Sequence, residues 1–277
     1  MPASSSTPAS TPSSELGRHL VTLRRFWGTA LAGQLEYPFN AWVELLAMAA
    51  NLAGSLLVLW LFHRQGVALG GWSWHASQVV LGAYTALAGF TTTLLQPNLS
   101  RIVTEVQEGG LDFVLLKPID SQFWLSLRSF SLAGLPELLV GLGLMLWAAL
   151  QERGTLSSQA VLATAVVMGA AVMILYALWF ALATTTIWFV KTWNATEVLR
   201  SALSAGRYPV SAYPPALRLL LTLVLPVAFL TTVPAEVLLG RSSGGWIATS
   251  LAVSLLAFAL CRAFWQWALR SYTSASS

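Results

Sequence analysis

The stretch LATAVVMGAAVMILYALWFALATTTIWFV, residues 162–190, decides the fold. It contains no Asp, Glu, Lys or Arg. A helix rises 1.5 Å per residue, so about 20 apolar residues cross the hydrocarbon core of a bilayer. A longer uncharged run predicts a membrane-spanning helix that tilts or extends past the lipid. Working outward, similar runs predict spans over 41–62, uncharged after Glu44, and over 77–95. A third covers 130–150, interrupted by Pro136 and Glu137. The run 162–190 is the fourth. A fifth covers 216–233 with Pro226 inside it, and the sixth covers 246–267. The predicted fold class is an all-α membrane protein with six transmembrane helices, its spanning domain extending over 38–270.

Composition agrees. Of 277 residues, 56% are hydrophobic and 9% charged, whereas a soluble domain carries about a quarter charged residues. The mean hydropathy is +0.67. So much apolar surface excludes an ordinary soluble enzyme, a disordered chain and a disulfide-built secreted domain. Cys261 is the single cysteine, which excludes an intrachain disulfide and a cysteine-built metal site. The net charge is +4. The basic residues are scattered, so they carry topology information and do not point to nucleic acid.

Residues 1–14 are rich in Ser, Thr and Pro, without the basic and apolar regions of a signal peptide. They read as a disordered cytosolic tail. Over 15–37, Leu16, Leu20, Leu23, Trp27, Leu31 and Leu35 share one helical face, with Arg18, Arg24 and Arg25 beside it. That pattern predicts an amphipathic helix lying in the headgroup region of membrane lipid, stopped at Pro38. Residues 271–277 read as a short cytosolic tail.

Starting from the cytosol, twelve basic residues fall inside: Arg18, Arg24 and Arg25; Arg101, Lys117 and Arg128; Lys191, Arg200, Arg207 and Arg218; Arg262 and Arg270. Three fall outside: Arg64, Arg153 and Arg241. This asymmetry places both termini in the cytosol. The segment 191–215 then reads as an interfacial connector on the inner side. Trp72, Trp74, Trp246 and Trp265 fall where an aromatic belt is expected.

Sites of chemistry are scarce. The chain lacks GxxxxGK[ST], HExxH and GxSxG motifs. His19, His63 and His75 lie far apart, so no catalytic set and no metal site emerges. Thr184, Thr185 and Thr186 are expected to bond their own helix carbonyls. Glu44, Glu137 and Glu236 lie near span ends, where interfacial or capping roles are expected.

The informative segment is the inner loop PNLSRIVTEVQEGGLDFVLLKPID, residues 97–120. It predicts a short helix over 98–107, a break at Gly109-Gly110, and a second short helix over 111–116 stopped before Pro118. Two short helices with exposed carboxylates and a glycine hinge make a knob suited to docking another protein; the plainer alternative is a solvated connector.

The run Glu105-x-x-Glu108-Gly109-Gly110-Leu111-Asp112-x-x-Leu115-Leu116-Lys117-Pro118 resembles the signature of ABC-2 type exporter permeases, most nearly their DUF990-type bacterial branch. The N-terminal surface helix, six spans, and a late Leu225-Pro226-x-x-Phe229…Pro234-Ala235-Glu236-x-Leu238-x-Gly240 run also fit. Gly110 departs from the threonine common in relatives. The short outer loop before the last span leaves little chain for a re-entrant helical hairpin.

The resemblance implies a half-transporter of the bacterial cytoplasmic (inner) membrane, without enzymatic activity or cofactor of its own. ATP and Mg would be bound by a separate ATPase subunit. A second permease subunit, identical or a sibling, would complete the complex. Residues 98–120 would form the coupling loop. Glu105, Glu108 and Asp112 would make polar contacts to the ATPase, Leu111, Leu115 and Leu116 an apolar anchor, and Gly109 and Gly110 the turn. A secondary transporter would want inverted repeats and charge near the midplane, and neither is visible in the sequence. A non-catalytic membrane scaffold is the other alternative.

Overall fold

A computed structural model describes residues 38–66, 69–189 and 199–272. The expected tail 1–14, the surface helix 15–37 and the chain beyond Tyr272 lie outside the described residues. Ten α-helices are labelled here: α1 (Pro38–Arg64), α2 (Trp74–Phe90), α3 (Gln96–Gln107), α4 (Leu111–Leu115), α5 (Ser121–Leu127), α6 (Leu135–Arg153), α7 (Ser158–Thr184), α8 (Pro215–Leu219), α9 (Val233–Leu238) and α10 (Gly244–Ser271). Short π- and 3₁₀-helical turns join several of them, and no strand occurs among the described residues.

Among the described residues, five helical stretches are long and apolar enough to cross a membrane: Trp42–Arg64, Trp74–Gln107, Leu132–Arg153, Ser158–Ile187 and Gly244–Ser271. Local chemistry sets their ends. The Ser73 and Ser157 hydroxyls accept the Ala76 and Ala160 amides at 3.1 Å, capping α2 and α7. Pro136 lies in the first turn of α6, where its missing N–H costs nothing. Gly154 closes α6 at φ +71°.

The second of these stretches differs from expectation. The helix over 98–107 is no separate loop helix, because α2, the π turn Thr91–Leu95 and α3 run on as one 34-residue rod. Pro97 does not stop it. In a regular α-helix the proline ring would collide with the carbonyl four residues back. The π turn relieves this, with the Gln96 amide donating to the Thr91 carbonyl, five residues back. At about 51 Å the rod outreaches a hydrocarbon core by roughly 20 Å.

This rod packs on α6 through small residues. A Cβ placed on Gly89 would come 2.1 Å from the Leu138 amide nitrogen, and one on Gly141 would come 2.2 Å from that of Ala86. Gly82 meets the Met145 backbone at 2.5 Å in the same way. The two backbones touch directly, as lipid-embedded helices do when small residues face each other.

The expected fifth span is also changed. Residues 216–233 do not form one helix. Pro215–Val224 and Ala228–Leu238 are two halves bent by 79°. Pro226 disfavours helical geometry at Leu225, which is extended at φ −110°, ψ 94°. Both ends of this pair lie at the Trp72 end of the bundle. Before it, the Trp72 indole donates to Ser211 Oγ at 2.9 Å, and Arg218 donates to the Ser211 carbonyl at 2.6 Å. After it, Arg153 donates to the Leu239 carbonyl, and Arg241 pairs with Glu152 at 2.7 Å and covers the Trp72 ring.

The described residues 199–212, read as an inner connector, instead climb through the bundle. Arg200 donates to Gln96 Oε1 at 2.7 Å. Arg207 lies over the Tyr84 ring, and Ser211 is held by Trp72. Along the α2–α3 rod these partners lie about 33, 15 and 0 Å from the Trp72 end. The Val210 amide donates to Thr232 Oγ1, and a Cβ on Gly206 would meet Val227, so 206–210 and 227–232 run side by side.

Candidate functional site

At the Gln107 end, 108–120 forms a compact foot. Gly109 takes φ +73°, a left-handed conformation that glycine supplies without a Cβ penalty. It turns the chain out of α3 into α4. Leu111 is fully buried and Val114 nearly so, both packed into the main core with Ile102 and Leu125. With those two facing inward, the helix presents its opposite side outward. Phe113 is 72% and Leu116 81% exposed, and Leu115 is half as exposed as Leu116. Apolar side chains left this bare beyond the spanning region mark a place for a partner.

The expected site residues therefore divide. Leu115, Leu116, Glu108 and Asp112 lie on the foot's outer side or rim, with Asp112 beside Tyr272. Leu111 faces the protein's own core. The Glu105 carboxylate is engaged within the chain, paired with Arg128 at 2.8 Å. A Cβ on Gly110 would meet Glu105 Oε2 at 2.2 Å, so glycine here makes room for that pair. Phe113 escaped the sequence reading. Its one signal was a helical pattern with Leu111 and Val114 on one face, which leaves 113 on the other.

The foot is tied to the long helices. The Asp120 carboxylate caps α5 by accepting the Phe123 amide at 2.9 Å, and it pairs with Arg262 of α10. Arg262 also donates to Gln122 Oε1 at 3.0 Å. Gln122 donates to the Tyr176 hydroxyl of α7 at 3.0 Å, and Ser126 meets that hydroxyl at 2.8 Å. Trp265 of α10 donates to Ser121 Oγ at 3.1 Å. Asn98 of the rod exchanges two hydrogen bonds with the Ser129 backbone, each 2.7 Å. Asp120 thus ties the foot to α10 directly, and α5 with the residues after it carries the contacts to α7 and α3.

Burial raises the Asp120 carboxylate, but the Arg262 guanidinium and the Phe123 amide outweigh it and hold the group below its ordinary 3.8. A lowered folded value means stability present above pH 3.8 and lost as pH falls through the folded value. Thermal melts of the wild type and Asp120→Asn should differ at pH 6, and the gap should close progressively below pH 3.8. A gap unchanged at low pH would mean that the pair does not anchor α5.

A second feature lies inside the bundle. A cavity of about 450 Å³ opens between α1, the α2–α3 rod, α6, α7, residues 200–207 and the tip of the bent pair. Glu137, Arg200 and Arg207 all line it. Glu137 sits in the first turn of α6 within Coulombic reach of both guanidiniums. Arg207, expected near the inner surface, lies instead over Tyr84, about 15 Å along the rod from its Trp74 end. The sequence signal for this was slight: the pair of polar residues Asn51 and Ser55 on one face of α1.

The family model described as "ABC-2 family transporter protein" matches residues 49–276, which takes in every element of the bundle from within α1 onward. No curated protein matches the chain.

Proposed function

Since the chain belongs to the ABC-2 family of transporter proteins, we propose that it is the membrane-spanning permease subunit of an ATP-driven exporter, of the DUF990-type bacterial branch. It resides in the inner membrane with both termini cytosolic, and pairs with a second permease subunit. ATP and Mg belong to a separate ATPase subunit. The observation that carries this reading is the foot: bare Phe113 and Leu116 on a segment whose other face is locked into the core. Phe113, Leu115 and Leu116 enter a cleft of the ATPase, while Glu108 and Asp112 make the polar rim. Glu105, Leu111, Gly109 and Gly110 shape the foot. ATPase closure pushes it, and the ties to Arg262, Tyr176 and Asn98 carry the displacement into the long helices. The coupling is a two-state equilibrium biased by contacts, not a chemical step in this chain.

In this reading the described residues 199–212 belong to the fifth crossing, and 215–238 dips in from the outer side and returns to it. Six crossings result, and the basic residues still favour the inside, ten against four, with Arg207 between. Non-permeant maleimide applied to intact cells tests this. Single cysteines replacing Leu217 and Ser242 should both be labelled from outside, and one replacing Phe113 only after permeabilisation. Labelling of position 242 without 217 would make 215–238 a crossing. Labelling of position 113 in intact cells would overturn the orientation of the foot.

The charged cavity favours a second reading, an ion-coupled secondary transporter. That reading gives the foot no partner, so the presence of a bound ATPase separates the two.

A further inference from the structure

Arg207 is the charge whose position most needs a cause. Tyr84, over whose ring it sits at 5.1 Å, is about 15 Å along the rod from Trp74, half the thickness of a hydrocarbon core. A guanidinium at that depth is costly and normally serves a pathway or a ligand. Its Nη1 donates to Ser55 Oγ at 3.2 Å. Its Nε is fully shielded and has no acceptor. Among the described residues no carboxylate comes within 4.0 Å of Arg207 or Arg200. Two guanidiniums thus face one carboxylate, Glu137, across a cavity of about 450 Å³. That volume suits a head group. The remaining wall includes Leu87, Leu175, Val227 and Leu230, apolar surface that a bare inorganic ion would leave unused.

A guanidinium presents its donors in a planar fork that matches the oxygens of a phosphate two at a time. We propose that this cavity binds the polar head of a phosphate-bearing amphiphile. The Arg207 fork takes the phosphate oxygens, Arg200 supplies the second cation, and Glu137 accepts a hydrogen bond from a hydroxyl or amine next to the phosphate. The apolar wall receives the start of the chain. This names a substrate class for the transporter proposed above and rests on that reading for its meaning, though the binding chemistry stands on the cavity alone. The amphiphile is either a resident bilayer lipid or the cargo.

The test titrates the purified chain, in a neutral maltoside detergent, with three probes by calorimetry: dihexanoyl phosphatidylethanolamine, dihexanoylglycerol and inorganic phosphate. The first should bind saturably, and the other two at least tenfold more weakly. Arg207→Gln should weaken the first at least tenfold, and Arg270→Gln should leave it unchanged. Selectivity among probes on the wild type decides the matter even if Arg207→Gln misfolds. Equal binding of all three, or undiminished binding by a folded Arg207→Gln protein, overturns the site. If ATPase association persists in that case, the permease reading survives the loss. In proteoliposomes holding the ATPase complex, ATP-dependent movement of a fluorescent phosphatidylethanolamine identifies cargo; saturable binding without movement identifies a resident lipid, and both uphold the site.

Discussion

Gly141→Leu should prevent the bundle from assembling. The hydrogen at this position faces the Ala86 backbone so closely that even a methyl carbon would lie 2.2 Å from a backbone nitrogen. Backbone cannot swing aside as a side chain can, so α6 and the α2–α3 rod must separate along their shared length. Overpacking alone commonly costs about 1–3 kcal/mol. Here the separation also strips the contacts on either side, at Gly82 against Met145 and Gly89 against Leu138. The expected loss exceeds about 3 kcal/mol, enough to remove most of the folded population of a marginally stable protein. Gly143 supplies the control. It lies two residues along the same helix with nothing within 4 Å of its Cβ position. Gly143→Leu should give a monodisperse protein with a near-normal thermal midpoint, while Gly141→Leu aggregates on gel filtration. Equal behaviour of the two variants would mean that the close helix contact is not what holds this half of the bundle.

The second large effect concerns the foot. The double variant Phe113→Asp, Leu116→Asp should lose ATPase association by at least a hundredfold while folding normally. Burying each apolar side chain is worth about 1.5–3 kcal/mol, so two of them at an interface account for about 3–6 kcal/mol. A carboxylate pressed into the same cleft adds a desolvation cost. The fold should not notice, because both side chains project away from the core in the free chain. Glu105→Gln is the contrasting variant. It removes the charge from the tie to Arg128 and should lower stability more than it lowers affinity. The comparison is made by affinity of the purified permease for its ATPase, with thermal midpoints alongside. An unchanged affinity in the double aspartate variant would remove the foot from the docking interface.

The spanning helices were legible because lipid imposes one strong rule, about 20 apolar residues without charge. The rule reads length and polarity, not path. It therefore found 162–190 and missed that 216–233 breaks at Leu225-Pro226 into halves bent by 79°. It also missed that 199–212, with two arginines and several serines, goes through the bundle. Such a segment is tolerated only where protein surrounds it, and that condition is tertiary. Pro97 misled in the opposite direction. Proline usually ends a helix, but the π turn before it shifts the hydrogen-bond register, and no local composition announces such a turn. On the foot, the glycine pair and the exposed carboxylates were visible, and the turn they predicted is present at Gly109. Which leucines face outward depended on where α4 meets Ile102 and Leu125, far apart in sequence. The pairing of Glu105 with Arg128 was not legible because the two lie 23 residues apart.

Photocrosslinking from the foot tests the central claim most directly. With p-benzoylphenylalanine in place of Phe113, irradiated cells should yield one dominant adduct, with a cytosolic nucleotide-hydrolysing subunit. The same probe replacing Leu223, on the bent pair away from the foot, should not capture that subunit. Absence of the adduct at position 113, or its replacement by an adduct with a protein outside the cytosol, would contradict the account.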